Sequence, residues 1–286
     1  MTFLALPFPA VHPNALEFGP FTIGSMVLGP LAIRWYALAY VAGILIGWFF
    51  LRRLVARDRL WGTLGRPSGL ELDDFVLWAT LGIVLGGRLG YVLFYNPSHY
   101  LANPSEIPMV WMGGMSFHGG FLGVVAAVAL FTRGRTFSFL TLFDLVAAAA
   151  PIGLFFGRIA NFINAELWGR VSDVPWAMVF PFAGPNPRHP SQLYEAVLEG
   201  VVLFAILGHL AWRTDLLKRP GVIAGLFAIG YGVARFAVEF FREPDAQLGY
   251  VAGFLTMGQI LSLPMIGIGA ALALWAWRRS RREVAA

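Results

Sequence analysis

The sequence predicts an all-α, polytopic membrane protein of about seven transmembrane helices, with its N-terminus on the outer side and its C-terminus in the cytoplasm. Three observations carry this. The composition is 58% hydrophobic and only 13% charged, with a mean hydropathy of +0.67, whereas soluble domains carry about 25% charged residues. Seven stretches are long and apolar enough to approach the ~20 residues a spanning helix needs. Basic residues gather in alternate connections between those stretches, as the positive-inside rule requires.

The stretches run at about 31–51, 75–95, 116–132, 139–160, 193–212, 221–241 and 256–277. Helix is the only open-chain answer at membrane depth, because an unpaired strand leaves its backbone polar groups unsatisfied in lipid. Arg52, Arg53, Arg57, Arg59 and Arg66 follow the first stretch. Arg133 and Arg135 separate the third from the fourth. Arg213, Lys218 and Arg219 separate the fifth from the sixth, and Arg278, Arg279, Arg281 and Arg282 follow the seventh. These are 14 of the 21 basic residues, and they fix that side as cytoplasmic. At 286 residues the chain reads as one transmembrane domain, 1–286, with an outer loop region at about 161–192. That loop holds Pro175, Pro181, Pro185, Pro187, Pro190 and the aromatics Trp168, Trp176, Phe180 and Phe182, and is expected to be irregular, partly interfacial and a possible cover for a site. Residues 1–13 lack the basic start of a cleavable signal peptide.

Composition also narrows function. The net charge of +5 sits in loops beside apolar spans, so topology accounts for it without a nucleic-acid partner. No cysteine is present, which excludes disulfides, thiolate metal sites and a cysteine nucleophile of the chain's own. No metal-binding cluster is visible in the sequence, and no cofactor is implied.

Seven basic residues escape the topological account: Arg34, Arg88, Arg158, Arg170, Arg188, Arg235 and Arg242. The segment Gly157-Arg158-Ile159-Ala160-Asn161 through Glu166, Gly169 and Arg170 follows a charge-free run from Leu145 to Phe156. An arginine at membrane depth costs about 2.5–3.5 kcal/mol on insertion scales, so it marks a functional site by default. Arg158 and Asn161 share a helix face; the competing reading is an interfacial cap with the arginine snorkelling to headgroups. A second segment, Tyr231 to Asp245, spaces Arg235, Glu239 and Arg242 at i, i+4, i+7. This is a structural ion-pair ladder or, with two guanidiniums sharing one carboxylate, an anion site. A third, Trp111 to Gly120, sets His118 among four glycines. Histidine moves protons near neutral pH, although a lone membrane histidine more often bonds helix to helix. Tyr36 opens the first stretch, and Ser191 reads as an N-cap of the fifth, beside His189, Tyr194 and Glu195. Gly86-Gly87-Arg88-Leu89-Gly90 offers small residues for tight helix packing. The topology brings Tyr36, His118, Arg158, Asn161, Glu166, His189, Arg235 and Glu239 to the outer half of the bilayer or just outside it, which suits an anionic lipid headgroup.

In order, these strings resemble the bacterial prolipoprotein diacylglyceryl transferase family: Arg34-Trp35-Tyr36, Gly86 to Tyr91, Gly113 to Gly120, Gly157 to Arg170, His189 to Glu195 and Arg235 to Asp245. The resemblance implies a seven-span inner-membrane protein with the outer side in the periplasm. It implies transfer of the diacylglyceryl group of phosphatidylglycerol to the lipobox cysteine thiol of a preprolipoprotein, forming a thioether and releasing glycerol 1-phosphate. His118, Arg235 and Glu239 carry over as the catalytic group; two divisions of labour fit them, His118 as thiol base with Arg235 on the phosphate, oriented by Glu239, or His118 orienting the lipid with Arg235 lowering the thiol pKa. Arg158, Asn161, Tyr36, Glu166, Gly169, Arg242, Arg88 and His189 carry over as substrate-binding residues. The rival is a transporter or scramblase of anionic lipids, which also needs arginines at depth but usually shows a repeat and broken helices crossing the full bilayer. A structural membrane scaffold is the third reading.

Overall fold

The structure is a computed structural model that describes residues 6–244, 249–251 and 254–285. Among the described residues the frame is seven apolar helices: α1 (Trp35–Val55), α2 (Gly69–Phe94), α3 (Phe117–Phe131), α4 (Phe139–Ile163), α5 (Ser191–Arg213), α6 (Val222–Val238) and α7 (Met257–Ala285). Five of them, α1, α2, α4, α5 and α7, are long and apolar enough to cross a membrane. The other two fall short of the predicted spans. α3 has 15 residues and α6 has 17, covering about 22–26 Å at ~1.5 Å per residue against a hydrocarbon core of ~30 Å. α3 starts at its Ser116 cap, where the predicted stretch begins, and ends at Phe131; α6 stops at Val238, where the chain turns back to bridge Gly169 through Arg242. The first stretch also begins later than predicted. Residues 31–34 form a strand paired with Asn14–Phe18, and α1 starts at Trp35.

The connections that carry most of the basic residues gather at one end of the bundle. There the Ser68 capping box starts α2, Arg135 pairs with Glu71 at 2.7 Å, and Arg59 donates to the Trp212 carbonyl. Asp144 of α4 is buried and accepts from the Gly221 and Ala224 amides at 2.8 and 2.7 Å. Its carboxylate thus caps α6 from a neighbouring helix, where the helix dipole favours negative charge. The main apolar core lies at this end. Trp61 and Leu60, from the connection after α1, are fully buried against Leu54, Leu72, Phe131, Phe137, Leu142 and Leu207.

Glycines set the spacing of the helix pairs. A Cβ on Gly82 would sit 2.5 Å from the Gly123 carbonyl oxygen, and one on Gly119 would sit 2.3 Å from that of Gly86. α2 and α3 therefore touch backbone to backbone, as small residues permit in membranes. This seam accounts for the Gly86–Gly90 packing expected from the sequence. It also holds α3 against α2, which decides where His118 can lie.

At the opposite end the 161–192 connection is irregular, as expected, but tightly folded. Met178–Val179 pairs with Leu6–Pro7, and Arg188 bridges both Val171 and Met178. Phe180 is fully buried among Phe8, Phe162 and Trp168.

Candidate active site

α4, α5 and α6 meet around a chain of buried charges. Arg158, from α4, lies 3.3 Å from Glu195 Oε2 through Nε and 3.3 Å from Glu199 Oε2 through Nη2. Arg235, from α6, grips the other oxygen of Glu195 through Nη1 and lies 2.7 Å from Glu239 through Nη2. The side chains of Glu195 and Glu199 are wholly buried, and those of Arg158 and Arg235 are 16% and 12% exposed. Burying such charges is tolerated only where they are paired. Glu195 is the keystone, since one carboxylate engages guanidiniums from two helices.

The local winding of α5 brings its carboxylates into place. Between Ala196 and Val202 the helix widens to π geometry, which is frequent at functional sites. Within that stretch Gly200 lies so close to α4 that a Cβ would come 2.6 Å from that of Phe155. The two helices thus approach closely one residue from Glu199 and one turn from Arg158.

Beside this chain lies a hydrogen-bonded group at the end of α4. Asn161, buried, donates through Nδ2 to Tyr36 Oη at 3.0 Å and to Glu166 Oε1 at 2.7 Å. Glu166 stands between two non-glycine residues with left-handed backbone, Ala165 (φ 53°) and Leu167 (φ 57°). Each such residue costs on the order of 1–3 kcal/mol and persists only where its surroundings impose it. Two buried side chains of α5 do so: Gln192 donates to the Glu166 carbonyl and Ser191 to the Leu167 carbonyl, the latter at 3.1 Å. Ser191 therefore serves this turn rather than capping α5, whose first turn has no side-chain cap.

The remaining predicted residues fall into place with differences. Arg242 lies beyond the end of α6, so the i, i+4, i+7 stripe breaks after Glu239. Its carbonyl accepts from Arg170 Nε at 2.9 Å, and Arg170 Nη2 reaches the Glu239 carbonyl at 3.2 Å, closing the C-terminus of α6 as basic side chains do at helix ends. The expected surplus of positive charge is also reversed, because Glu195 and Glu199 join Glu239 against two arginines. Arg88 is buried, with its donors on carbonyls: Ile107 at 2.8 Å, Glu106 at 2.7 Å, and Gly113 and Gly114. Its fork is committed to the loop leading into α3 rather than facing an open site. Gly169 is wedged between chains: a Cβ there would lie 2.5 Å from the Phe241 carbonyl oxygen and 2.7 Å from that of His189. His189 Nδ1 sits 3.0 Å from the Tyr194 hydroxyl, which accepts from Trp176, and partial burial lowers its pKa below the usual histidine value. His118 is exposed at the start of α3, edge-on to Phe117. Among the described residues no hydrogen bond or ion pair links it to the arginine–glutamate chain. Asp245, which closes the second segment, lies outside the described residues.

Sequence reasoning missed Glu199 entirely and took Glu195 as part of a helix start. Gln192, which props the turn at Glu166, and Arg170, which closes α6, were equally unassigned. A signal was present: two carboxylates four residues apart inside an apolar span, subject to the same cost that singled out Arg158.

A multi-pass helical bundle with several arginines and glutamates paired at membrane depth, and a strained, propped turn beside them, defines a membrane protein with a built polar site among its helices. The comparisons with known proteins place it more narrowly. A profile described as prolipoprotein diacylglyceryl transferase matches residues 24–275. A phosphatidylglycerol–prolipoprotein diacylglyceryl transferase of Rhodospirillum rubrum is 61% identical over 269 residues, covering 93% of this chain and 92% of its own. Proteins of the same name from Rhodopseudomonas palustris (57% identical, 100% of this chain and 97% of theirs) and Brucella canis (56%, 98% and 96%) are similar along their whole length. The chain belongs to the prolipoprotein diacylglyceryl transferase family.

Proposed function

We propose that the protein transfers the sn-1,2-diacylglyceryl group of phosphatidylglycerol to the lipobox cysteine thiol of preprolipoproteins, forming a thioether and releasing sn-glycerol 1-phosphate. The relatives' shared name supports this reaction over anionic-lipid transport. In this reading the whole chain is one transmembrane domain of the bacterial inner membrane. All seven helices traverse the bilayer, the shorter α3 and α6 included, with the basic end in the cytoplasm and the site in the periplasmic half. The positive-inside distribution supports that orientation.

The observation that carries the mechanism is the pair of guanidiniums held by one carboxylate, Arg158 and Arg235 on Glu195. Attack of sulfur on the glyceryl carbon breaks its bond to the phosphate oxygen. Negative charge accumulates on the leaving phosphate, and fixed guanidiniums in a water-poor site stabilise it without reorganising. Arg158 binds the phosphate with Asn161, Tyr36 and Glu166 around the headgroup. Arg235, oriented by Glu195 and Glu239, meets the charge as it develops. His118 removes the thiol proton; its exposure at the start of α3 suits a group that meets a second substrate arriving from outside. A thiol with a free pKa of about 8.5 needs such help at neutral pH. Arg88, Gly169 and Arg242 support the site through the backbone they hold, and His189 through its bond with Tyr194.

The test is incubation of purified protein with labelled phosphatidylglycerol and a lipobox peptide. Thiol-dependent release of glycerol phosphate is expected, lost in Arg235→Ala and reduced at neutral pH in His118→Ala. Lipid movement without release would favour the transporter reading. Near-full transfer by His118→Ala would remove it as the base.

A further inference from the structure

The buried chain has a charge problem that the reaction makes worse. Two guanidiniums, Arg158 and Arg235, face three carboxylates, Glu195, Glu199 and Glu239. Fully ionised, the group already carries one net negative charge before an anionic headgroup enters. One oxygen in it stands apart. Glu199 Oε1 is buried with neither a hydrogen bond nor an ion pair, while Oε2 of the same group faces Arg158 Nη2. An unpartnered buried carboxylate oxygen is costly, and two buried carboxylates sharing a guanidinium repel each other.

The groups that face Glu199 are Arg158 from α4, Glu195 from its own helix, and Tyr231 and Arg235 from α6. Tyr231 supplies a hydroxyl, and among the described residues no further cation joins this set to offset an added negative charge. Bringing a phosphodiester monoanion against Arg158 therefore requires either displacing a carboxylate or neutralising one. Displacing Glu195 would unmake the keystone that aligns both arginines, and displacing Glu199 would strip a buried carboxylate, one of whose oxygens is already unpartnered, of its ion pair with Arg158. Neutralisation leaves every ion pair of Glu195 in place.

We propose that Glu199 takes up a proton when the anionic headgroup binds beside Arg158, so that lipid binding and proton uptake are coupled. The proton comes from solvent and resides on the carboxyl of Glu199, and the net charge of the group plus ligand stays where it was in the empty site. The proton leaves again when the anionic product departs. Glu199 in this scheme is a positioning residue: it acts through Arg158 and does not touch the reacting atoms. The inference rests on the reading of Arg158 as the headgroup-binding residue.

The experiment is calorimetric titration of the detergent-solubilised full-length protein with short-chain phosphatidylglycerol, in two buffers of different ionisation enthalpy. The expected result is uptake of about one proton per lipid bound above neutral pH, with affinity weakening by up to about tenfold per pH unit as pH rises. Glu199→Gln, which imitates the neutral carboxyl, is expected to bind with no proton uptake. Difference infrared spectra of the unmutated protein give a second readout, a new protonated-carboxyl carbonyl band on lipid addition, which needs no variant to fold. Zero uptake in the unmutated protein, or unchanged uptake in Glu199→Gln, overturns the proposal. Arg158→Ala separates the two levels: undiminished lipid binding there defeats the headgroup assignment itself, whereas lost binding there together with zero uptake in the unmutated protein defeats only the proton coupling.

Discussion

Removing the keystone carboxylate by Glu195→Ala tests whether the charge chain is a real unit. Deleting one partner of a buried ion pair costs about 3–5 kcal/mol, because the other charge is left uncompensated. The geometry places this case at the low end. Arg158 keeps Glu199 at 3.3 Å and Arg235 keeps Glu239 at 2.7 Å, so neither guanidinium is orphaned, and a loss of about 3 kcal/mol is expected. Glu195→Gln preserves volume and an acceptor oxygen and should cost about 1–2 kcal/mol, the difference between a charged and a neutral hydrogen bond. Stability is read from denaturant titration in detergent micelles followed by circular dichroism, with transfer activity measured on the same samples. A cycle pairing Glu195→Gln with Arg158→Gln should show a coupling of about 1–3 kcal/mol, as contacting residues do. A Glu195→Ala protein within about 0.5 kcal/mol of the unmutated one, the range of a surface substitution, would refute the network.

Further outcomes follow from other contacts. Gly258→Ala places a Cβ 2.7 Å from the Glu239 carboxyl carbon; the carboxylate must swing off Arg235, and transfer should fall by about tenfold or more, equivalent to ~1.4 kcal/mol, with the fold retained by circular dichroism. Arg88→Ala empties the carbonyl cradle at 106–114 and should destabilise by about 2 kcal/mol or more; Arg88→Lys should not restore it, because an ammonium lacks the planar fork, and equal stability of Lys and Arg would count against the cradle. His189 has a lowered folded-state pKa, so as pH falls through the ordinary histidine value of about 6.5 the unfolded chain binds the proton first. Stability should therefore decline on acidification through that window and be flat above it, and melting curves of His189→Asn should show a smaller acid slope.

The seven apolar helices were legible because membrane depth admits few alternatives: length and apolar content alone located each, although α2 starts at Gly69 rather than 75 and α7 runs on to Ala285 rather than ending at 277. What escaped was what ends them. α6 is short because of a backbone bridge from Arg242 to Gly169, and the start of α3 is held by the Ser116 amide donating to the Gly87 carbonyl at 2.9 Å; both partners lie far away in sequence. The strand at 31–34 read as part of α1 because Leu31, Ala32 and Ile33 are as apolar as a helix. In the site, Arg158 and Asn161 were legible from cost alone, and Arg235 and Glu239 from spacing. The carbonyl partners of Arg88 were not legible, because depth and charge do not say whether a guanidinium faces a ligand or its own chain's carbonyls. The sign of the site's charge was missed because spacing along one helix cannot count carboxylates contributed by another.

The carboxylate contributed by α5 explains the architecture of the site. A single helix carrying Arg235 and Glu239 could form a neutral pair and remain inert. Arg158 and Arg235 become one unit only because a carboxylate from a third helix lies between them, which couples the spacing of α4 and α6 to the position of α5. The π stretch and the Gly200–Phe155 contact determine that position, so uncharged residues outside the ion-pair chain fix the distance between the two guanidiniums. Fixed dipoles and charges stabilise a transition state only to the extent that they are held before it forms. It follows that Gly200→Ala, which pushes α5 from α4, should reduce turnover even though every charged residue remains, and that full activity in that variant would mean the guanidinium spacing is set by something other than the helix approach.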